Sequence, residues 1–453
     1  MDKPREADGA TIAALATPPG AAGLAVVRVS GPAALRVAAA VCDADASRLA
    51  PASSHRAVLT VVRAPDGRDA LDQVLLLPMH APHSYTGEDV VEFFCHGGSV
   101  PAALVLEACL AAGARQAGPG EFTRRAFLHG RLSLDQAEAV ADLIHAEDRL
   151  AARAALARLR GGLRAEVAAV EAPLLELLAA LEGSLEFSEH EDVDVPRSRV
   201  VSVLDGALRA LDALLADAEA GRRVRDGVRT VLAGPVNAGK STLFNTLLGR
   251  ERALVDADAG TTRDVVSARV ELDGVTFHLQ DTAGLRDAAG RVEAAGIART
   301  HEALAAADLV LWLRPLDDPA VPEPPRTEAT VLAVAARADL APRSVTPAGA
   351  LRVSARTGEG IEELKAAMVA AVQAERMHEV ARTGRALARR HRERLELARS
   401  ALAEVRTVVA DGAPDEVTAS LLAPALQGLG EVTGRVYSER LLGEVFSKFC
   451  VGK

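Results

Sequence analysis

Lysine is nearly absent. In 453 residues it occurs only at Lys3, Lys240, Lys365, Lys448 and Lys453, and arginine carries the rest of the basic charge. An arginine in place of an expected lysine is therefore weak evidence of lost function, while each lysine present draws notice. Cysteine is scarce too. Cys42, Cys95, Cys109 and Cys450 show no CxxC spacing and no pairing pattern with histidine, which argues against a cysteine-held metal and fits a reduced, cytoplasmic compartment. No apolar run reaches membrane-spanning length, and the opening MDKPREADGA is too polar for a secretory signal, so no membrane association is expected. The net charge of −10 lacks the positive excess of a protein that coats nucleic acid non-specifically, but leaves room for a local basic site.

What is present is ordinary globular material, 49% hydrophobic and 25% charged, long enough for two to four domains. Residues 1–133 mix short β-like runs (LAVVRVSG, AVLTVVRAP, QVLLLPM, DVVEFFCHGG) with Gly/Pro punctuation and one helical stretch, the pattern of an α+β domain. Residues 134–225 turn to Ala/Leu/Glu/Arg at three-and-four spacing, interrupted by the acidic EFSEHEDVDVP, and read as helices with an exposed acidic loop. Residues 226–375 alternate strand and helix, which predicts a mainly parallel sheet covered on both faces. Helical texture returns over 376–453. The fold class expected is multidomain α/β, with the strand–helix domain inserted into a helical domain built from both flanks.

GPVNAGKS, Gly234–Ser241, fits GxxxxGK[ST], follows the apolar strand TVLA and opens a helix. Its backbone N–H groups and the helix N-terminus can face phosphates, with Lys240 reaching the β- and γ-phosphates and Ser241 ligating Mg²⁺. Asn237, Ala238, Gly239 and Thr242 complete this contact. AGTTRD, from Ala259, offers Gly260, Thr261 and, as a second Mg²⁺ ligand, Thr262. In DTAG, Asp281 approaches Mg²⁺ through water, and Thr282, Ala283 and Gly284 meet the γ-phosphate side. Downstream VSAR supplies Ser354, Ala355 and Arg356 to flank a base. Three motifs in this order indicate a P-loop GTPase.

Two positions complicate that reading. Leu285 follows DTAG where many small GTPases carry a water-orienting glutamine, so catalysis must draw on other groups. Asn237 is either a tight-turn residue or a ligand for a monovalent cation beside the phosphates, and Glu293 either an ordinary helix carboxylate or a water-orienting one. The guanine reader, usually Asn-Lys-x-Asp, is Ala336-Arg337-Ala338-Asp339. Asp339 can still accept from the N1–H and N2 amino group of guanine, which adenine lacks, and Arg337 can still cover the base. Guanine preference with weakened affinity is expected. At the other end of the chain, FSKFCVGK is either a frayed tail or a segment that reaches into another domain's cavity.

The stretches TIAALATPPG, GLAVVRVSG, SYTGEDVVEFFCHGG, PGEFTRRAFLHGRLSLDQAEAVADLI, GPVNAGKST, AGTTRD, DTAGLR and FCVGK together resemble the MnmE (TrmE) family of tRNA-modification GTPases across essentially the whole chain. The resemblance implies a homodimer held by N-terminal domains and a G domain that dimerises across the nucleotide when K⁺ is bound. It also implies a heterotetramer with the FAD-containing MnmG protein. Together these place an aminomethyl or carboxymethylaminomethyl group on C5 of a tRNA wobble uridine, with carbon from a tetrahydrofolate derivative. By the same resemblance, folate contacts fall on Arg28, Glu92, Arg131 and Lys453; Cys450 matches a functionally required cysteine; and Glu293 becomes the water-orienting glutamate. K⁺ ligands fall on Asn237, Asp256, Asp258 and Thr261, with Ala257 in the same loop. Three departures stand out: Arg131 for lysine, the carboxylates Asp256 and Asp258 in the cation loop, and Ala336-Arg337 in the base reader. The basic run Ala388–Arg394 reads more readily as a solvated helix face than as a tRNA contact. A scaffold that binds nucleotide weakly and presents folate, or a ribosome-assembly GTPase, are the competing readings.

Overall fold

The computed structural model describes residues 9–43, 49–186, 195–249, 267–281, 302–318, 323–324, 327–384, 386–447 and 449–453. Two compact units divide the chain, Met1–Ala141 with Gln427–Lys453, and Asp142–Leu426.

In the first unit the alternating runs become strands β1 (Ile12–Leu15), β2 (Leu24–Ser30), β3 (Val58–Arg63), β4 (Ala70–Met79), β5 (Val90–His96) and β6 (Arg115–Gln116). They form one sheet in the order β3-β4-β5-β2-β1-β6, antiparallel except for β1 with β6. The period of two puts Val27, Val29, Val74, Leu76, Val91 and Phe93 on one face, where they bury against helices Ala34–Val41 and Ser99–Ala111. Each such side chain contributes about 1.5–3 kcal/mol by leaving water. On the opposite face Leu59 pairs with Leu75, Leu75 with Phe94 and Phe94 with Val26; Leu59 and Leu75 stay 57% and 46% exposed, while Phe94 and Val26 are half-buried.

Helix Glu121–Leu128 begins after Gly120, which is left-handed at φ 64°. The Glu121 carboxylate accepts from the Gly118 N–H at 2.9 Å, from Arg115 at 2.6 and 2.8 Å and from Arg125 at 3.0 Å. Burial pushes this carboxyl up, but those donors outweigh burial and hold its pKa at about 2, against an ordinary 4.5. A depressed carboxylate stabilises the fold fully above its ordinary pKa and loses that contribution as pH falls toward the folded value. Glu121→Gln is expected to cost about 2 kcal/mol at pH 7. Thermal melts between pH 7 and 2 should show a steep acid loss for the wild type and a flatter one for the variant. Equal slopes would remove Glu121 from the account.

In the second unit strands β7 (Val228–Ala233), β8 (Ser267–Leu272), β9 (Val275–Asp281), β10 (Leu309–Pro315), β11 (Thr330–Ala336) and β12 (Leu351–Arg352) form a sheet in the order β12-β11-β10-β7-β9-β8. All neighbours are parallel except the β8–β9 hairpin, which turns on Asp273-Gly274 with both residues at positive φ. The mainly parallel sheet expected from strand–helix alternation is thus present. From β7 the order runs to β9 on one side and to β10, β11 and β12 on the other. Such a reversal opens a crevice at the carboxyl ends of the strands, where ligands of α/β sheets bind. Helix Lys240–Leu248 closes that end, burying Leu243, Phe244 and Leu247.

Helices Gly162–Glu186, Arg197–Ala216 and Arg389–Ala410 carry the helical texture, and Arg197–Ala216 packs on Arg389–Ala410, so segments on both flanks of the sheet meet in one bundle. The fold is multidomain α/β with an inserted P-loop-type sheet. The basic run at the start of Arg389–Ala410 is a solvated face: Arg389 and Arg392 pair with Glu393 and Glu396, while His391 is buried. Among the described residues no helix is long and apolar enough to cross a membrane. The acidic loop at 187–194 lies outside the described residues.

Candidate functional site

The loop after β7 must approach β10 closely. Gly234 has φ 149°, and a Cβ there would meet the Leu313 carbonyl oxygen at 2.5 Å, so only glycine fits. Asn237 is left-handed at φ 61°, a conformation that asparagine tolerates better than most residues, so it does serve the tight turn. Gly239, also left-handed, caps helix Lys240–Leu248 and turns its N-terminal N–H groups toward the crevice. Lys240 is 8% exposed, and its ammonium donates to the carbonyls of Pro235 at 2.8 Å and Gly234 at 3.2 Å. Its charge therefore sits inside the loop. The Ser241 hydroxyl donates to Asp281 Oδ2 at 2.6 Å, and Asp281 is only 4% exposed. A hydroxyl oxygen and a buried carboxylate at the mouth of a helix N-terminus are the donor set of a hard divalent cation such as Mg²⁺.

Across the crevice, Asp339 accepts from the Ser354 hydroxyl at 2.8 Å and faces the Arg356 guanidinium at 3.5 Å. Arg337, left-handed at φ 61°, pairs with Asp317 at 2.9 Å and donates to the Asn237 carbonyl at 3.3 Å. Arg352 donates to the carbonyls of Ser344, Ala338 and Ala341 at 3.1–3.3 Å and pairs with Glu359 at 3.0 Å. Thr246 ties the phosphate-side helix to the Ala355 carbonyl at 3.0 Å. Between these groups lies a cleft of about 530 Å³, lined by the loop from Val236 to Leu243 and by Arg337, Asp339, Ala355 and Arg356 among others. The structure thus brings Asn237, Ala238, Gly239, Lys240, Ser241, Thr242, Asp339, Ala355 and Arg356 to one cleft, with Ser354 behind Asp339. Asp256 to Thr262, Thr282, Ala283, Gly284 and Glu293 lie outside the described residues. No sequence motif marks Asp317 or Arg352: Asp317 acts through Arg337 on the next strand's loop, and Arg352 through the carbonyls of the base-side loop.

The first unit holds a second constellation. Arg28 pairs with Glu92 at 2.8 Å, each side chain 14% exposed, and the Arg28 guanidinium lies 5.3 Å from the Tyr85 ring centroid and 5.6 Å from that of Phe122. Residues 450–453 dock here. Pro119 bridges Val451, the Gly120 N–H donates to the Cys450 carbonyl at 3.4 Å and the Phe122 N–H to that of Lys453 at 3.1 Å. The frayed-tail alternative is thereby corrected: backbone pairing seats the segment. Burial and the nearby Arg28 lower the Lys453 pKa, against a smaller pull from Glu92. Arg28, Glu92 and Lys453 therefore share one site, where the Lys453 ammonium lies near the Arg28–Glu92 ion pair. Arg131 is exposed and lies beside Gly87, where a Cβ would meet its side chain at 3.3 Å, and no contact described here joins it to the other three. Cys450 is exposed and not in a disulfide. Tyr85 and Phe122 sit inside stretches singled out in the sequence, yet their stacking on Arg28 needed the fold to appear.

Residues 11–131 match the profile of the GTP-binding protein TrmE N-terminus, and residues 134–450 that of the MnmE helical domain. The tRNA modification GTPase MnmE of Symbiobacterium thermophilum is 43% identical, with 98% of this chain and 99% of that protein covered. Its counterpart from Myxococcus xanthus is 44% identical over the same shares. Among solved structures, the FeoB G-domain from Methanococcus jannaschii is 24% identical with a TM-score of 0.24, covering 32% of this chain and 98% of that domain. Two profiles that together span nearly the whole chain, and relatives above 40% identity along its length, place this chain in the tRNA modification GTPase MnmE family.

Proposed function

We propose that this chain hydrolyses GTP to GDP and phosphate in the crevice after β7, as part of tRNA wobble-uridine modification. The observation that carries the reading is one cleft with the Gly234–Ser241 loop at one end and the Asp339 carboxylate at the other. Asp339 accepts from guanine, and the loop N–H groups, the helix N-terminus and Lys240 take the phosphates. Ser241 and Thr262, with Asp281 through water, would hold Mg²⁺, which would supply positive charge to the phosphates. Water attacks the γ-phosphorus as the bond to the β-phosphate oxygen breaks, and Lys240 stabilises the charge gathering on that oxygen. Glu293 orients the water. Asn237, Asp256, Asp258 and Thr261 would hold K⁺, which would supply positive charge to the reacting phosphates.

The Arg28–Glu92–Lys453 site takes the tetrahydrofolate derivative, with Arg131 as a further contact; the Arg28 and Lys453 cations offer donors to an anionic ligand, and Tyr85 and Phe122 offer rings for a heterocycle. Cys450 acts beside it. The exposed Leu59 and Leu75, continued by the half-buried Phe94 and Val26, support a homodimer formed through the first unit. Further partners are tRNA and the FAD-containing MnmG protein, and the setting is the cytoplasm. The functional division follows 1–133, 134–225, 226–375 and 376–453.

Steady-state hydrolysis of GTP and ATP in K⁺ and in Na⁺ at matched ionic strength tests the core of this reading. GTP turnover faster in K⁺, with ATP inert, is expected; turnover indifferent to the base would leave the folate-presenting scaffold as the better account. Gly452 offers a separate handle on the folate site. It has φ 99°, and a Cβ there would meet the Leu15 carbonyl oxygen at 2.1 Å. Gly452→Ala should unseat Lys453 and weaken tetrahydrofolate binding by about tenfold, the value of one charge-assisted contact, while GTP turnover holds. Isothermal titration with the reduced folate reads the first and phosphate release the second.

A further inference from the structure

The base-reading loop has alanine at 336, where the expected asparagine would anchor it, and yet its conformation is specified in detail. The backbone first brings the parts together. β10 runs parallel to β11 with Pro315 opposite Ala336, and the Leu316 N–H donates to the Ala336 carbonyl at 2.9 Å. That bond sets Asp317 beside Arg337. From there the Arg337 guanidinium reaches two ways, to the Asp317 carboxylate at 2.9 Å and to the carbonyl of Asn237 in the phosphate loop at 3.3 Å. A guanidinium presents five donors in a fixed plane, so holding one edge fixes the other, which the three rotating donors of a lysine would not do. Arg352 pins the far side of the loop through the carbonyls of Ala338, Ala341 and Ser344. The loop is fastened by arginines on both sides of Asp339.

We propose that Asp317 is a positioning residue for the nucleotide: by gripping Arg337 it fastens the base-reading loop to the phosphate loop and takes over the anchoring that Ala336 cannot supply. The inference rests on reading the cleft as a guanine-nucleotide site. Asp317 touches no part of the nucleotide in this account. Its influence passes through Arg337 and therefore falls on binding more than on the rate of phosphate release. The pair is partly open to solvent, with side chains 29% and 33% exposed, so the effect is moderate and declines with salt.

The test measures GDP affinity by fluorescence with a labelled analogue, and KM and kcat for GTP, in the full chain at low and high ionic strength. Asp317→Asn is nearly isosteric and removes only the charge. In the wild-type background it should raise Kd and KM about three- to fivefold at low salt, with kcat within twofold and a smaller change at high salt. In an Ala336→Asn background, where the anchor is restored, the same substitution should change Kd less than twofold. Arg337→Met, which removes both contacts, should weaken binding more than Asp317→Asn does. Equal affinities for wild type and Asp317→Asn at low salt would overturn the inference and leave the nucleotide reading intact. An equal loss in both backgrounds would also overturn it, since Asp317 would then act independently of position 336. Failure of the wild type to bind any guanine nucleotide would instead overturn the nucleotide reading, and this inference with it.

Discussion

Asp339→Asn is expected to turn a guanine site into a xanthine site. In this cleft Asp339 is already held by the Ser354 hydroxyl at 2.8 Å and by Arg356 at 3.5 Å, so its carboxylate has a fixed direction before any base arrives. Guanine offers it two donors, N1–H and the N2 amino group. An amide at the same place keeps one acceptor but turns an NH₂ toward the guanine amino group, donor against donor. Xanthine carries a carbonyl at that position and can accept from the amide. Losing a charge-assisted pair and leaving two donors facing each other costs about 3–4 kcal/mol, or roughly 10²–10³ in GTP affinity. Competition between GTP and XTP, read by hydrolysis of each, should show that loss for GTP and a gain for XTP. The exchange matters more than the loss. A variant that simply unfolded the loop would lose GTP without gaining XTP, and if neither base discriminates, Asp339 does not read the base in this protein.

How much of this was legible beforehand depends on whether a residue works locally or through a distant partner. GPVNAGKS could be read because its meaning is local: glycine at 234 and 239, a lysine and a hydroxyl opening a helix after an apolar strand nearly dictate the backbone that forms. The mainly parallel sheet was legible for the same reason, since continuous apolar runs such as LVLWLRP and TVLAVAA suit strands buried on both faces. Asp317 was not legible. It follows a strand like many other loop aspartates, and its role arises only from the β10–β11 register, which sets it beside a residue twenty positions onward. The docked tail is a matter of balance, because composition speaks for fraying, and backbone pairing with Pro119, Gly120 and Phe122 together with the close fit of Gly452 against Leu15 decides otherwise. Arg131 shows the opposite hazard. Only the family resemblance groups it with Arg28, Glu92 and Lys453, and the fold sets it exposed beside Gly87, so a role at the folate site depends on a contact made by the ligand itself.

Lys240→Ala should nearly abolish GTP turnover while leaving the sheet and the base reader in place. The Lys240 ammonium has two competing sets of acceptors. It donates to the carbonyls of Gly234 and Pro235, inside the loop whose N–H groups face outward. Both bonds are only partly buried, so losing the ammonium from these carbonyls costs on the order of 1 kcal/mol in stability. Against phosphate the balance is different. The charge is buried, its position is fixed before reaction, and it meets an oxygen whose negative charge grows as the bond to the γ-phosphorus breaks. A preorganised donor of that kind contributes about 3–4 kcal/mol to the transition state, which puts the expected fall in kcat at roughly 10²–10³. Lys240→Arg is the sharper control. It keeps the charge but needs more room, and Gly234 already lies against the Leu313 carbonyl with no space for a Cβ. It should therefore recover little activity although arginine replaces lysine almost everywhere else in the chain. Single-turnover phosphate release with saturating GTP reads the chemistry apart from binding, and a melting temperature within a few degrees of wild type keeps the comparison fair. If Lys240→Arg restored full turnover, charge alone would suffice here, and the near-absence of lysine elsewhere would no longer single this one out.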